Sequence, residues 1–128
     1  MPPFDLETTY LALDGAGAVR AYPGGEAFWR DIDANPDAGG TLVTVMDGEG
    51  AWPHWEMHPK GDEVLVALEG SARLMFEHPD GRTEIHEVAA GATLIVPAGV
   101  WHRAIDQRGL KMLFITYGAG TTHKPVSG

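Results

Sequence analysis

The sequence contains no cysteine, and that one absence removes disulfides, thiolate metal sites and a cysteine nucleophile together. Any metal held by this chain must take nitrogen or oxygen donors. Basic residues are also scarce: nine Lys and Arg stand against 18 Asp and Glu, a formal net charge of -9 with the histidines neutral. No Lys/Arg cluster offsets this balance locally, so phosphate backbones are repelled and nucleic acid is not an expected partner. No apolar run approaches the roughly 18 residues of a membrane span, and the opening MPPFDLE lacks the basic and apolar regions of a secretory leader. The expectation is a cytoplasmic protein without membrane attachment. Ser-x-x-Lys, a nucleophile elbow and a phosphate-binding glycine loop are missing too, which leaves covalent serine chemistry and nucleotide binding without support.

Glycine and proline, by contrast, are plentiful, at 17 and 9 of 128 residues. They cut the chain into short segments rich in β-formers, the pattern of an all-β protein. Strands are predicted at TTYLALD (Thr8 to Asp14), TLVTVMD (Thr41 to Asp47), DEVLVALE (Asp62 to Glu69), ARLMFE (Ala72 to Glu77), TEIHEV (Thr83 to Val88), TLIVP (Thr93 to Pro97) and LKMLFITY (Leu110 to Tyr117). Asp80-Gly81 marks a hairpin turn between the fourth and fifth of these. One helix is predicted over Gly24 to Asp33, stopped by Asn35-Pro36-Asp37 and lying against the outside of the sheets. Residues 118 to 128 read as a loop-like tail. The length fits a single domain over residues 1–128, and 44% hydrophobic residues supply its core. Many short antiparallel strands in so small a domain imply a closed barrel or a two-sheet jelly roll, either of which can hold a site between its layers.

The chemistry concentrates in HWEMHPKGDE, His54 to Glu63, with two histidines and three carboxylates. Residues two apart on a strand share a face at about 6.6 Å, so Glu56 and His58 can converge on one ion. Glu63, beyond the turn Pro59-Lys60-Gly61, can return to the same cavity as a third ligand. His102, entering a strand after Pro97-Ala98-Gly99, can close the site from a distant part of the chain. His54 shares the face of Glu56 and His58 but lies roughly 13 Å along the strand from His58, too far to share an ion at about 2.1 Å from each nitrogen. Glu56 therefore ranks ahead of His54 as fourth ligand, while a Glu56 that leaves the metal and acts as base or substrate contact stays open. Glu56 and Glu63 facing one cavity should raise each other's pKa, a repulsion that a divalent ion relieves.

In its spacing the chain resembles the cupin superfamily, with small single-domain cupins the nearest type. The first cupin motif is met by Gly50, five residues, Glu56-Met57-His58, four residues, Glu63, six residues and Gly70, with Glu56 standing where a first histidine would be. The second is met by Gly91, Pro97-Ala98-Gly99, His102 and Asp106, with Asp in place of the final Asn. The resemblance implies a double-stranded β-helix, the jelly-roll cupin barrel, with a short N-terminal helix. It also implies one divalent transition metal ion (Fe, Mn, Zn or Ni) on Glu56, His58, Glu63 and His102, with Glu56 the candidate catalytic residue. The activity implied is a metal-dependent oxygenase, isomerase or decarboxylase acting on a small polar or carboxylate-bearing molecule. A non-catalytic small-ligand-binding or sensor cupin, with or without metal, is the rival, and a metal-free sugar isomerase using His102 with Glu56 is a third. Small cupins commonly form homodimers, often by lending an N-terminal strand, which points to TTYLALD.

The remaining candidates have plainer readings. Trp52, Trp55 and Trp101 flank the motifs and read first as packing residues, then as pocket mouth. Arg73 is expected to face outward in a salt bridge, His78 to be solvated in its turn, His86 to sit on the surface and His123 to be free in the tail.

Overall fold

The structure, a computed structural model, describes residues 2–32 and 40–127. Strands β1 (Thr9–Leu13) and β2 (Val19–Pro23) form a hairpin, and the helix α1 (Glu26–Asp31) follows. Then come β3 (Thr41–Gly48), β4 (His54–Met57), β5 (Glu63–Glu77), β6 (Thr83–Ala89), β7 (Thr93–Val96), β8 (Trp101–Tyr117) and β9 (Thr122–Pro125). No helix among the described residues is long and apolar enough to cross a membrane.

The architecture hangs on β5 and β8, which pair antiparallel from Glu63 opposite Thr116 to Glu77 opposite Trp101. Their register shifts between Ala67 and Glu69, between Glu69 and Ser71, and between Arg73 and Leu74. Bulges of this kind bend a strand and increase its twist, so each long strand serves two layers. Residues 63–67 of β5 and 110–117 of β8 form one layer with β7, β3, β1 and β2. Residues 71–77 and 101–108 form the other with β6, β4 and β9. The result is the jelly-roll barrel that the strand pattern implies. Gly70 sits at the bend with φ +71°, where a Cβ would collide with the carbonyls of Arg108 and Gly109.

Leu65, Leu74, Phe76, Val88, Val96, Val100, Leu110 and Met112 are buried together as the main core, each worth about 1.5–3 kcal/mol of transfer free energy. A smaller cluster joins Tyr10, Ala12, Phe28 and Leu42, with Phe28 edge-on to Tyr10 at 5.2 Å between ring centroids. Ala12, Leu42, Thr116, Glu63 and Val96 are successive cross-strand neighbours and share one face. Helix α1 therefore packs on the face that carries Glu63, not on the outside as expected. It is also shorter than the predicted Gly24 to Asp33; Asp33 and the stop signal Asn35-Pro36-Asp37 lie outside the described residues.

Other differences follow from chain geometry. The predicted strands Asp62 to Glu69 and Ala72 to Glu77 are one strand, because Glu69-Gly70-Ser71 forms a bulge where a turn was expected. TTYLALD lies between β2 and β3, pairing with β2 along Thr9–Leu13 and with β3 along Leu11–Leu13. The tail is no loop over Thr122–Pro125, which pairs with β4. Lys124 anchors it, with Nζ 2.9 Å from Glu77 Oε1 and 4.5 Å from the Trp101 ring centroid.

Replacing Gly70 by alanine should destabilise the fold by more than about 1 kcal/mol, since a side chain is forced into φ above zero as well as into the backbone of β8. Urea unfolding followed by circular dichroism would measure it.

Candidate functional site

Four side chains meet between the layers. Glu56 comes from β4, directly opposite His102 on β8. Glu63 opens β5 opposite Thr116. His58 stands one residue past β4, in a turn tied to the second motif: its carbonyl accepts the Gly99 amide at 2.9 Å, and the Asp62 carboxylate accepts the Ala98 amide at 2.9 Å. The turns Pro59-Lys60-Gly61 and Pro97-Ala98-Gly99 thus lock to one another, which is how residues far apart in sequence are held in register.

His58 Nε2 lies 2.9 Å from Glu56 Oε1 and 3.3 Å from Glu63 Oε2. His102 Nε2 lies 3.2 Å from Glu63 Oε1 and 3.7 Å from Glu56 Oε1. The side chains of His102, Glu63 and His58 are 0%, 2% and 4% exposed, whereas that of Glu56 is 23% exposed. Glu56 is therefore the member at the mouth. These approaches are short but misdirected as hydrogen bonds, so His58 Nε2, His102 Nε2 and Glu63 Oε1 are buried without a hydrogen-bond partner. Donors about 3.0 to 3.4 Å apart are what octahedral or tetrahedral coordination at about 2.1 Å produces, and the donor set of two imidazoles and two carboxylates fits a transition-metal ion.

The surrounding groups set how the imidazoles present their nitrogens to the cluster. Thr121 Oγ1 donates to the Gly118 carbonyl at 2.8 Å and so meets His58 Nδ1, 2.7 Å away, as an acceptor. His58 then carries its proton on Nδ1 and turns the lone pair of Nε2 toward the cluster when neutral. His102 Nδ1 faces the Val100 carbonyl at 3.4 Å, with the same effect. Thr116 donates to Glu63 Oε2.

Electrostatics here departs from the expectation that the two carboxylates would raise each other's pKa. Burial does push Glu56 and Glu63 upward, but the His102 and His58 imidazoles beside them hold both below the usual carboxylate range. Burial likewise pushes the imidazoles down, and contact with Glu56 and Glu63 overcomes it, holding His58 and His102 up at about 9. The imidazoles interleave with the carboxylates, so attraction outweighs repulsion.

Among the other candidates, His54 does not join this cluster; its ring stacks on Trp52. His123, expected to be free, places Nε2 2.9 Å from Glu56 Oε2. Pairing of β9 with β4 puts His123 opposite Glu56, a contact the loop-like reading of the tail could not reveal. Trp52 approaches the His102 ring edge-on, while Trp55 is buried beneath Arg103 and Lys124. His78 is mostly buried rather than solvated, and both it and the half-exposed His86 contact Glu84. A groove of about 630 Å³ lined by Ser71, Arg73, Glu87, Asp106 and Arg108 includes no member of the four-residue cluster. Its arginines are already paired, Arg73 with Glu87 and Arg108 with Asp106.

A family model described as the cupin domain matches residues 41–116. The chain belongs to the cupin family. Among solved structures it is similar to a cupin-2 domain containing protein from Shewanella frigidimarina, at 25% identity over 60% of this chain and 70% of that one, with a TM-score of 0.48. It is similar also to a mutant of the oxalate decarboxylase of Bacillus subtilis, at 21% identity over 70% of this chain and 24% of that one, with a TM-score of 0.57. A hydroquinone 1,2-dioxygenase in complex with Cd2+ and 4-hydroxybenzonitrile shares 20% identity over 60% of this chain and 57% of that one, with a TM-score of 0.53. The last two likenesses are of fold. No curated protein matches the chain.

In this cupin the hydroxyl of Thr121 orients His58, so Thr121→Val should weaken binding of a divalent ion about 10- to 100-fold while Thr121→Ser largely preserves it. Competition with a chromogenic chelator would read both.

Proposed function

We propose that this cupin is a metal-dependent enzyme of oxygenase, isomerase or decarboxylase type, acting on a small polar or carboxylate-bearing molecule. One divalent ion is held by His58, Glu63 and His102, with Glu56 as fourth ligand or base. Three buried donor atoms without hydrogen bonds, on residues that each bring a ligand atom within 4.8 Å of the others, carry the reading. Without a well-directed hydrogen bond these atoms meet one another only as ion-pair contacts, and a cation between them would give each a direct ligand bond. The donor set accommodates Fe, Mn, Zn or Ni. When bound, the ion supplies Lewis acidity and, for a redox-active metal, electron transfer.

The chain's own residues divide the rest of the work. Once an incoming ion displaces their Nε2 protons, His58 and His102 would present Nε2 lone pairs whose direction is set through Nδ1. Glu63 is held by the Thr116 hydroxyl. Glu56, at the mouth, is the carboxylate an incoming molecule meets first, which suits it to accept a proton or to orient the substrate.

Protein purified without chelator should carry close to one transition-metal ion per chain by elemental analysis, and His58→Ala or His102→Ala should lose it while the barrel stays folded. Unaltered metal content in both variants would place the ligands elsewhere. Because the metal-free imidazoles hold their protons up to about pH 9, the ion displaces protons, so its affinity should rise with pH toward 9. With the ion retained, Glu56→Gln should abolish turnover of a panel of small carboxylates if Glu56 is the base, and leave it intact if the residue only fills the coordination sphere.

We also propose that the cupin is a homodimer joined through the outer face of its first layer. Leu11, Val43, Ile115, Val64 and Ile95 are successive cross-strand neighbours on that face. They form an apolar row ending at Ile95, which is 58% exposed. Light scattering should give twice the mass of the chain, and Ile95→Glu should shift it toward the monomer without altering the circular dichroism spectrum.

A further inference from the structure

The carboxylate of Glu56 faces two ways. Oε1 looks inward to His58 at 2.9 Å, and Oε2 looks outward to His123 Nε2 at 2.9 Å. Near this carboxylate stands His54, two residues back along β4 and so on the same face as Glu56. A donor atom from each of His54, Glu56 and His123 lies within 4.8 Å of the others. Ring contacts fix where His54 stands, stacked on Trp52 at 6.2 Å and edge-on to His123 at 5.2 Å between centroids. Among the described residues its ring nitrogens make no hydrogen bond and no ion pair.

Anchoring of the tail accounts for only part of this arrangement. Lys124 with Glu77 and Trp101, and Thr121 with His58, already pin β9. Neither contact requires a second imidazole to be brought near Glu56 beside His123, yet His54 is there with its nitrogens uncommitted.

We propose that His54, Glu56 and His123 form a second divalent-cation site at the mouth of the barrel, joined to the inner cluster by the two oxygens of Glu56. The proposal rests on the inner site only in sharing that carboxylate. Two imidazoles and one carboxylate select a borderline cation such as Zn(II), Ni(II) or Co(II) over Mg(II) or Ca(II), which prefer oxygen alone. With three ligands, one of them the half-exposed His123, the outer site binds more weakly than the inner.

Zn(II) titrated calorimetrically into the chelator-treated full chain tests this, with bound zinc counted after gel filtration. Two ions per chain are expected. His54→Ala and His123→Ala should each weaken the second at least tenfold and leave the first, while His102→Ala should do the reverse. His54→Gln and His123→Gln, checked by circular dichroism, replace any alanine variant that fails to fold. One ion per chain that is indifferent to positions 54 and 123 overturns the outer site and leaves the inner one standing. A second ion that survives both changes also overturns it, by placing that ion elsewhere, for example on His78, Glu84 and His86. A single ion lost with His123 but kept in His102→Ala would instead support the outer site and remove the inner.

Discussion

Two strands that remain paired while passing from one layer to the other set everything else in this molecule. Along β8, Thr116 lies opposite Glu63 in the first layer and His102 lies opposite Phe76 in the second. The bulges between them turn the strand pair so that these positions look at each other across the interior. Apolar packing of Leu65, Leu74 and Met112 on the same two strands holds the arrangement. The barrel thus positions the polar cluster, three of whose members sit on strands and the fourth, His58, in a turn locked to the 97–99 turn, so the cluster does not have to supply the stability itself.

Burying four ionisable groups in a small barrel is tolerable here because their signs alternate. Two imidazoles interleave with two carboxylates, so the cluster with both imidazoles protonated is neutral and each group lies against its opposite. Exchanging the two imidazole protons for one dication preserves that balance. Clusters of this kind contribute little net stability, since desolvation consumes most of the attraction. Such an expense of folding energy is a feature of working sites rather than of scaffolding.

Much of the site was legible in spacing alone. Glu56, His58, Glu63 and His102 meet because the turns at 59–61 and 97–99 recur at set distances from strands, and set distances survive in one dimension. His123 was not legible: THKP, with a lysine and a proline, looks like loop, and its strand character comes from pairing with β4 and from the Lys124 contacts. The strand entered at His102 was expected, but its continuity with Leu110 to Tyr117 was not legible, because Asp106-Gln107-Arg108 is polar although its backbone continues the ladder to β5. VRAYP in β2 is an edge segment and mostly exposed, so no alternation of apolar and polar residues betrays it. The depressed carboxylate pKa values needed the order of groups around a point, which only three dimensions provide.

Strand β9 is four residues long and pairs with β4 alone. Lifting it away breaks one short ladder and a few side-chain contacts, far less than the cooperative unit that contains β5 and β8. Hydrogen exchange of the amides in β4 that face it should therefore run on a faster clock than exchange in the β5–β8 ladder. The mouth of the barrel and its core accordingly rest on ladders of different length, and opening of β9 alone would let solvent reach Glu56 and His58 while β5 and β8 stay paired.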